Sequence, residues 1–197
     1  MVDGAVVRAV ARECGGFLDG LVGADWSAVV PEVGWTVAAT VAHVSDCLLY
    51  YSADLSAGPE GLRVAEVRVQ PSAPPADLVR AVRTTASVLA AVVEGRPPDA
   101  LGWHPWGLSD AAGFAGMGCD EMLVHTHDAG RGLGAVFAPD PALPAAVLRR
   151  LFPDVPPGDD PMAALLWANG RVPLGGRPRR EEWRWRCAPL DAAGSGS

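Results

Sequence analysis

The chain has 197 residues, 49% of them hydrophobic, and a formal net charge of −7. That apolar content suits one domain with a sizeable core and room for a small appendage. Its acidic balance, 23 Asp and Glu against 16 Arg and no Lys, excludes generic nucleic-acid binding and adhesion to anionic membranes, both of which need a basic face.

The four cysteines (Cys14, Cys47, Cys119 and Cys187) are widely spaced, with no Cys-x-x-Cys pair. They read as reduced thiols rather than a disulfide framework. The opening residues, MVDGAVVRAVARECGG, lack a basic leader followed by an apolar core, and no apolar run approaches the roughly 18–20 residues of a membrane span. The expected setting is the cytoplasm.

In chain order, a first helix is expected from about Asp3 to Leu21, where Val6, Val7, Val10 and Phe17 recur at near-helical spacing around a Gly15-Gly16 pair. A second follows Thr36 as N-cap, with Val37, Val41, Val44, Leu48, Tyr51 and Leu55 at alternating gaps of four and three, and Gly58-Pro59 as its stop. The stretch RVAEVRVQ, residues 63–70, reads as a strand or as plain extended chain. A third helix runs from Pro75 to Glu94 on Leu78, Val82, Leu89, Val92 and Val93. After the loop RPPDALGWHPWG, a fourth begins at Ser109 as N-cap and reaches Leu133-Gly134, against the preference of three glycines in its first half. Two short helices are expected near Pro144–Leu151 and Pro161–Asn169, then an edge strand in EEWRWRC and a flexible tail, DAAGSGS. Four helices with short trailing elements indicate an all-α bundle carrying a C-terminal extension.

Three of these residues combine chemically. Glu121 and His125 stand four apart on the fourth helix and share a face; His43 lies along the apolar stripe of the second. Two imidazoles and one carboxylate hold a zinc-like ion while leaving a position open, and facing helices of a bundle supply such sets. Asp128, three residues past His125, is placed to fix an imidazole tautomer. Taken singly the pattern is bland: a histidine on an apolar face is ordinary core, and Glu/His pairs are common on solvated helices. Trp103, His104 and Trp106 either roof such a site or plug one end of the core. Arg177, Arg179, Arg180, Arg184 and Arg186 form a cationic tail that either meets a carboxylated ligand or is simply solvated. Cys47 and Cys119 read as core thiols, out of phase with the two histidines.

The segment GWTVAATVAHVSDCLLY resembles the second-helix signature of the DinB-like superfamily, with a Trp, a small cap residue and a ligand His eight positions after the Trp. DEMLVHTHDAGRGLG is similar to the fourth-helix signature of its mycothiol-dependent maleylpyruvate isomerase branch, Glu-x-x-x-His followed by an Asp. The tail LLWANGRVPLGGRPRREEWRWRCAPL resembles the end of some actinobacterial relatives.

The resemblance implies a four-helix DinB-like metal-binding bundle over residues 1–138, an extension of small helices with one or two strands packed on it over 139–190, and the tail 191–197. It also implies His43, Glu121 and His125 as ligands of a divalent metal, with zinc favoured by the donor set and nickel, iron and manganese also compatible. Asp128 would orient a ligand and His127, where relatives often carry an aromatic residue, would add a polar group beside the site. Trp103, Trp106, Arg179 and Arg180 would bind the thiol or the substrate. The implied activity is S-transfer or thiol-assisted isomerisation of a small electrophile with mycothiol as co-substrate, and the resemblance implies a homodimer in the manner of many relatives. The further α/β domain of full-length isomerases has too few residues to form after the fourth helix. The alternatives are a metal-binding protein without turnover and a metal-assisted hydrolase using Asp128 or His127 as base.

Overall fold

A computed structural model describes residues 1–62, 66–97 and 99–190. Helices dominate: α1 (Gly4–Asp19), α2 (Val37–Ala57), α3 (Pro75–Gly95), α4 (Ala111–Gly132), α5 (Ala142–Leu151) and α6 (Pro161–Ala168). The only regular strands among the described residues are β1 (Leu101–Gly102) and β2 (Ser109–Asp110), an antiparallel pair with Leu101 opposite Asp110. The fold is the expected all-α DinB-like bundle with small additions, and no helix among the described residues is long and apolar enough to cross a membrane.

Local chemistry sets the helix ends. Asp3, Thr36 and Asp110 accept hydrogen bonds from Val6 N, Ala39 N and Gly113 N, so α1, α2 and α4 each start on a side-chain cap. The cap of α4 is thus Asp110 rather than Ser109, whose hydroxyl donates instead to Cys187 O at 2.7 Å. α2 stops where Gly58 adopts φ 87, a conformation that favours glycine. The whole expected stripe of α2, from Val37 to Leu55, is buried.

α1 and α2 each pack on α3 and α4, and α5 joins α4 to α6. The glycines of α4 mark close approach. A Cβ on Gly118 would collide with the Leu89 and Leu48 side chains, and one on Gly116 would meet the Arg150 and Leu151 side chains. Tertiary packing therefore repays the weak helix preference of this half.

The C-terminal elements depart most from expectation. α5 begins at Ala142, ahead of Pro144. EEWRWRC forms no strand: Trp185 and Cys187 are buried and Arg184 and Arg186 exposed, an alternation that belongs to an extended segment held by one backbone bond, Arg186 N to Leu151 O at 2.8 Å. Residues 66–70 are irregular, while 63–65 and the tail 191–197 lie outside the described residues.

The clamp for this region is Arg150, only 4% exposed. Its guanidinium donates to Asp110 Oδ1 at 2.7 Å, Cys187 O at 3.0 Å and Arg186 O at 2.8 Å. One buried cation thereby ties α5 to the cap of α4 and to the Trp-bearing segment.

Candidate metal centre

α2 and α4 are in contact, and their facing turns bring His43, Glu121 and His125 together. Each offers one donor atom, and all three atoms lie within 4.8 Å of one another. Glu121 Oε2 is 3.1 Å from His125 Nε2 and 3.8 Å from His43 Nε2. Two nitrogen or oxygen ligands of one tetrahedral zinc sit about 3.3 Å apart, so the observed distances bracket the ideal edge. The two imidazoles meet at 5.2 Å between centroids with an interplanar angle of 88°.

Each member is held from behind. His125 Nδ1 is 3.1 Å from Asp128 Oδ2, which places the proton on Nδ1 and turns Nε2 toward Glu121. Asp128, fully buried, also accepts from Arg171 Nε at 3.1 Å. Tyr51 OH donates to Glu121 Oε1 at 2.9 Å, leaving Oε2 for the histidines. Trp35 packs on the His43 ring at 5.1 Å.

The metal-free charges follow from these contacts. Burial works to raise the pKa of Glu121, but the His125 bond, the two imidazole charges and Tyr51 overcome it and hold the carboxyl at about 2. Burial likewise opposes charge on His125, yet bonds to Asp128 and Glu121 raise it to about 9. On the more open His43 burial prevails and the pKa falls. Asp120 is pushed up by burial to about 7, with bonds from Asn169 and Trp185 pulling the other way.

The cluster forms one wall of a cavity of about 410 Å³. Facing it are His104, Trp106, Trp183 and Trp185, with Asn169 and Arg171 at the side. The indoles of Trp106 and Trp185 meet at 5.1 Å and those of Trp106 and Trp183 at 5.6 Å. Trp185 Nε1 and Asn169 Nδ2 both donate to Asp120, at 3.1 and 2.9 Å, fastening this wall to the residue beside Glu121.

Several expected site residues lie elsewhere. Trp103 is half-buried against Gly61 and does not line the cavity; Trp106 does. Arg179 is exposed, and Arg180 lies with Arg177 over the Trp167 ring, at 5.1 and 3.9 Å, away from the cavity. The arginine at the cavity is Arg171, two residues past Asn169, a position with no signal in the sequence. His127 is half-buried among Asp128, Glu32 and Arg131 and also misses the cavity.

Cys47 is a plain correction. It stands one turn past His43 on the same face, with Sγ 3.4 Å from His43 Nε2. Burial, with the Glu121 charge, pushes its pKa well up. Tyr51 follows one turn later, so His43, Cys47 and Tyr51 form an i, i+4, i+8 ladder along α2 that the spacing rule already contained. Cys119 is a fully buried core thiol, as expected.

The family model of the mycothiol maleylpyruvate isomerase N-terminal domain matches residues 7–130. The chain belongs to this family. The matched region of the mycothiol maleylpyruvate isomerase N-terminal domain contains the whole His43, Glu121 and His125 cluster and ends before Asn169, Arg171, Trp183 and Trp185. No curated protein and no solved structure matches the chain.

Proposed function

We propose that the chain binds one divalent metal, zinc by preference, through His43, Glu121 and His125, and uses it to activate a small thiol for transfer to, or isomerisation of, a small electrophilic metabolite. The observation that carries this reading is the compact two-imidazole, one-carboxylate set opening onto a cavity of about 410 Å³. The family name points to mycothiol as the thiol. A divalent ion held there lowers the pKa of a coordinated thiol and favours the thiolate.

The chain's own residues prepare the site. Asp128 fixes the His125 tautomer, and Tyr51 occupies the Glu121 oxygen that the histidines do not approach. The Trp106, Trp183 and Trp185 wall offers flat apolar surface to a planar electrophile. Arg171 turns Nε and Nη2 to Asp128 and one Nη1 hydrogen to the Asn169 carbonyl, and the outward Nη hydrogens left over can take a carboxylate. In this reading residues 1–138 hold the metal and 139–190 complete the pocket. Hydrolysis through Asp128 or His127 is disfavoured: Asp128 is fully engaged by His125 and Arg171, and His127 does not line the cavity.

Elemental mass spectrometry of the purified protein tests the reading, followed by calorimetric titration with mycothiol. The expected result is about one zinc per chain, lost in His43→Ala and His125→Ala, with thiol binding confined to the metal-loaded form. Protein that stays empty after incubation with zinc overturns the metal reading, and metal-loaded protein that ignores the thiol overturns the transferase reading.

A further inference from the structure

We propose that His104 is the hydrogen-bond donor to the electrophile's carbonyl oxygen, through an Nε2–H that opens onto the cavity. The inference rests on the thiol reading above and deepens it, by assigning the group that meets the charge the electrophile develops.

The loop sets the ring. His104 lies between β1 and β2, where Trp103 N donates to Gly58 O at 3.1 Å and Gly107 N to His104 O at 2.9 Å. The residue is 8% exposed and boxed by Tyr51, Trp106 and Trp185, at 6.1, 5.6 and 5.7 Å between ring centroids. Its two nitrogens differ. Nδ1 receives the Trp106 backbone N–H at 3.2 Å and faces the Cys187 thiol at 3.5 Å. A backbone N–H only donates, so Nδ1 is the acceptor and the proton of the neutral imidazole sits on Nε2. Burial lowers the His104 pKa, against the Asp54 and Glu121 charges, and so favours the neutral ring.

Nε2 makes no hydrogen bond among the described residues. Nor is it sealed in, as the unpartnered Ser45 hydroxyl is; on a residue that lines the cavity, it opens onto that space. Packing alone would account for a ring at this position, but not for an N–H held toward the void. Tyr51 links His104 to the ligand wall, its ring beside the imidazole and its hydroxyl on Glu121 Oε1. His104 stands outside the group of His43, Glu121 and His125, so it takes no coordination position and stays available to a ligand.

The chemistry asks for such a donor. When a thiolate adds to a carbon conjugated with a carbonyl, a C–S bond forms and the π pair moves onto the carbonyl oxygen. A neutral Nε2–H donates to that oxygen more strongly as its charge grows, and keeps its own proton. Expulsion of the thiolate returns the pair and completes isomerisation; a solvent proton on the neighbouring carbon completes addition. A donor of this kind favours conjugated carbonyl compounds over halides, whose charge departs with the halide.

Benzylideneacetone, a flat enone, is the probe. The zinc-loaded full chain receives it with an isotope-labelled carbonyl and no thiol, and the carbonyl stretch is read by difference infrared spectroscopy. The expected stretch lies at lower wavenumber in the native protein and in His104→Gln, whose amide can present an N–H from about the same place, than in His104→Phe. Metal content and the near-ultraviolet dichroism of the tryptophans are expected to stay native in both variants. Nitrogen NMR of the native protein at neutral pH is expected to show His104 protonated on Nε2 alone. With mycothiol added, His104→Phe is expected to lose about 100-fold in kcat on this enone with KM little changed, and His104→Gln to recover most of the loss. A ring protonated on Nδ1, a stretch unchanged in His104→Phe, or an unchanged kcat overturns the inference and leaves the metal and thiol reading intact. A native chain that binds no metal or no mycothiol overturns that reading and the inference with it.

Discussion

The two walls of the cavity are built on different plans. His43, Glu121 and His125 stand on consecutive turns of two long helices, each backed by a partner: Trp35 against His43, Tyr51 on Glu121, Asp128 on His125. The facing wall has almost no regular structure of its own. Two of its indoles, Trp183 and Trp185, hang on an extended segment that Arg150 holds at Arg186 and Cys187 and Asp120 holds through Trp185. The family match covers the first wall and ends before Asn169, Arg171, Trp183 and Trp185 of the second. In the proposed reading, holding the ion falls to the bundle, and what is admitted beside it falls to the extension.

The largest expected effect breaks the second wall alone. Arg150→Ala removes a buried cation from Asp110 and two carbonyls, which costs about 3–5 kcal/mol and lowers the melting temperature by about 6–20 °C. Near-ultraviolet circular dichroism should show the Trp cluster loosened while the folded variant still binds metal. Metal lost in proportion to the dichroism would mean that the walls are one unit.

A subtler cut falls on the ligand wall. Asp128→Asn keeps the shape but removes the charge behind His125, and metal affinity is expected to fall about 10–100-fold, read by competition with a chelating dye. The Trp signals should stay unchanged.

The smallest effect is a pH slope. His125 in the metal-free protein has a pKa raised to about 9, burial being outweighed by its bonds to Asp128 and Glu121. A raised histidine stabilises the fold fully below its unfolded value of about 6.5 and loses that contribution as pH climbs through about 9. Thermal melts of metal-free protein are expected to fall by a few degrees more across this window than those of His125→Gln. Equal slopes would show that the Glu121, His125 and Asp128 contacts carry no net charge stabilisation.

The sequence spoke most clearly where a single helix decides the outcome. α2 declares itself through Thr36, its stripe and Gly58, and the same periodicity aligned Glu121 with His125 on α4. The pairing of His43 with them needed the family signatures, because periodicity alone does not say which helices meet. Cys47 was legible by the rule that aligns Glu121 with His125: at i+4 from His43 it is in phase with that histidine, not out of phase as its placement among core thiols had it. Arg179 and Arg180 drew attention as part of a charge run, whereas Arg171 acts through a turn after α6 that returns it to Asp128. Such return depends on loop geometry among glycines and prolines, for which no periodicity exists. The Trp alternation in EEWRWRC did mark one buried side, but burial came from a clamp rather than from a neighbouring strand.

Asp120 and Glu121 are consecutive residues, one fastened to Trp185 and Asn169, the other facing the histidines. A single peptide unit inside a helix therefore sets the spacing between Trp185 and the His43, Glu121 and His125 cluster. The largely exposed stretch of residues 156–159 makes none of those bonds, and residues inserted there are expected to leave the aperture unchanged. The pocket's dimensions are inherited from helical pitch, and its chemical taste is free to drift with the tail.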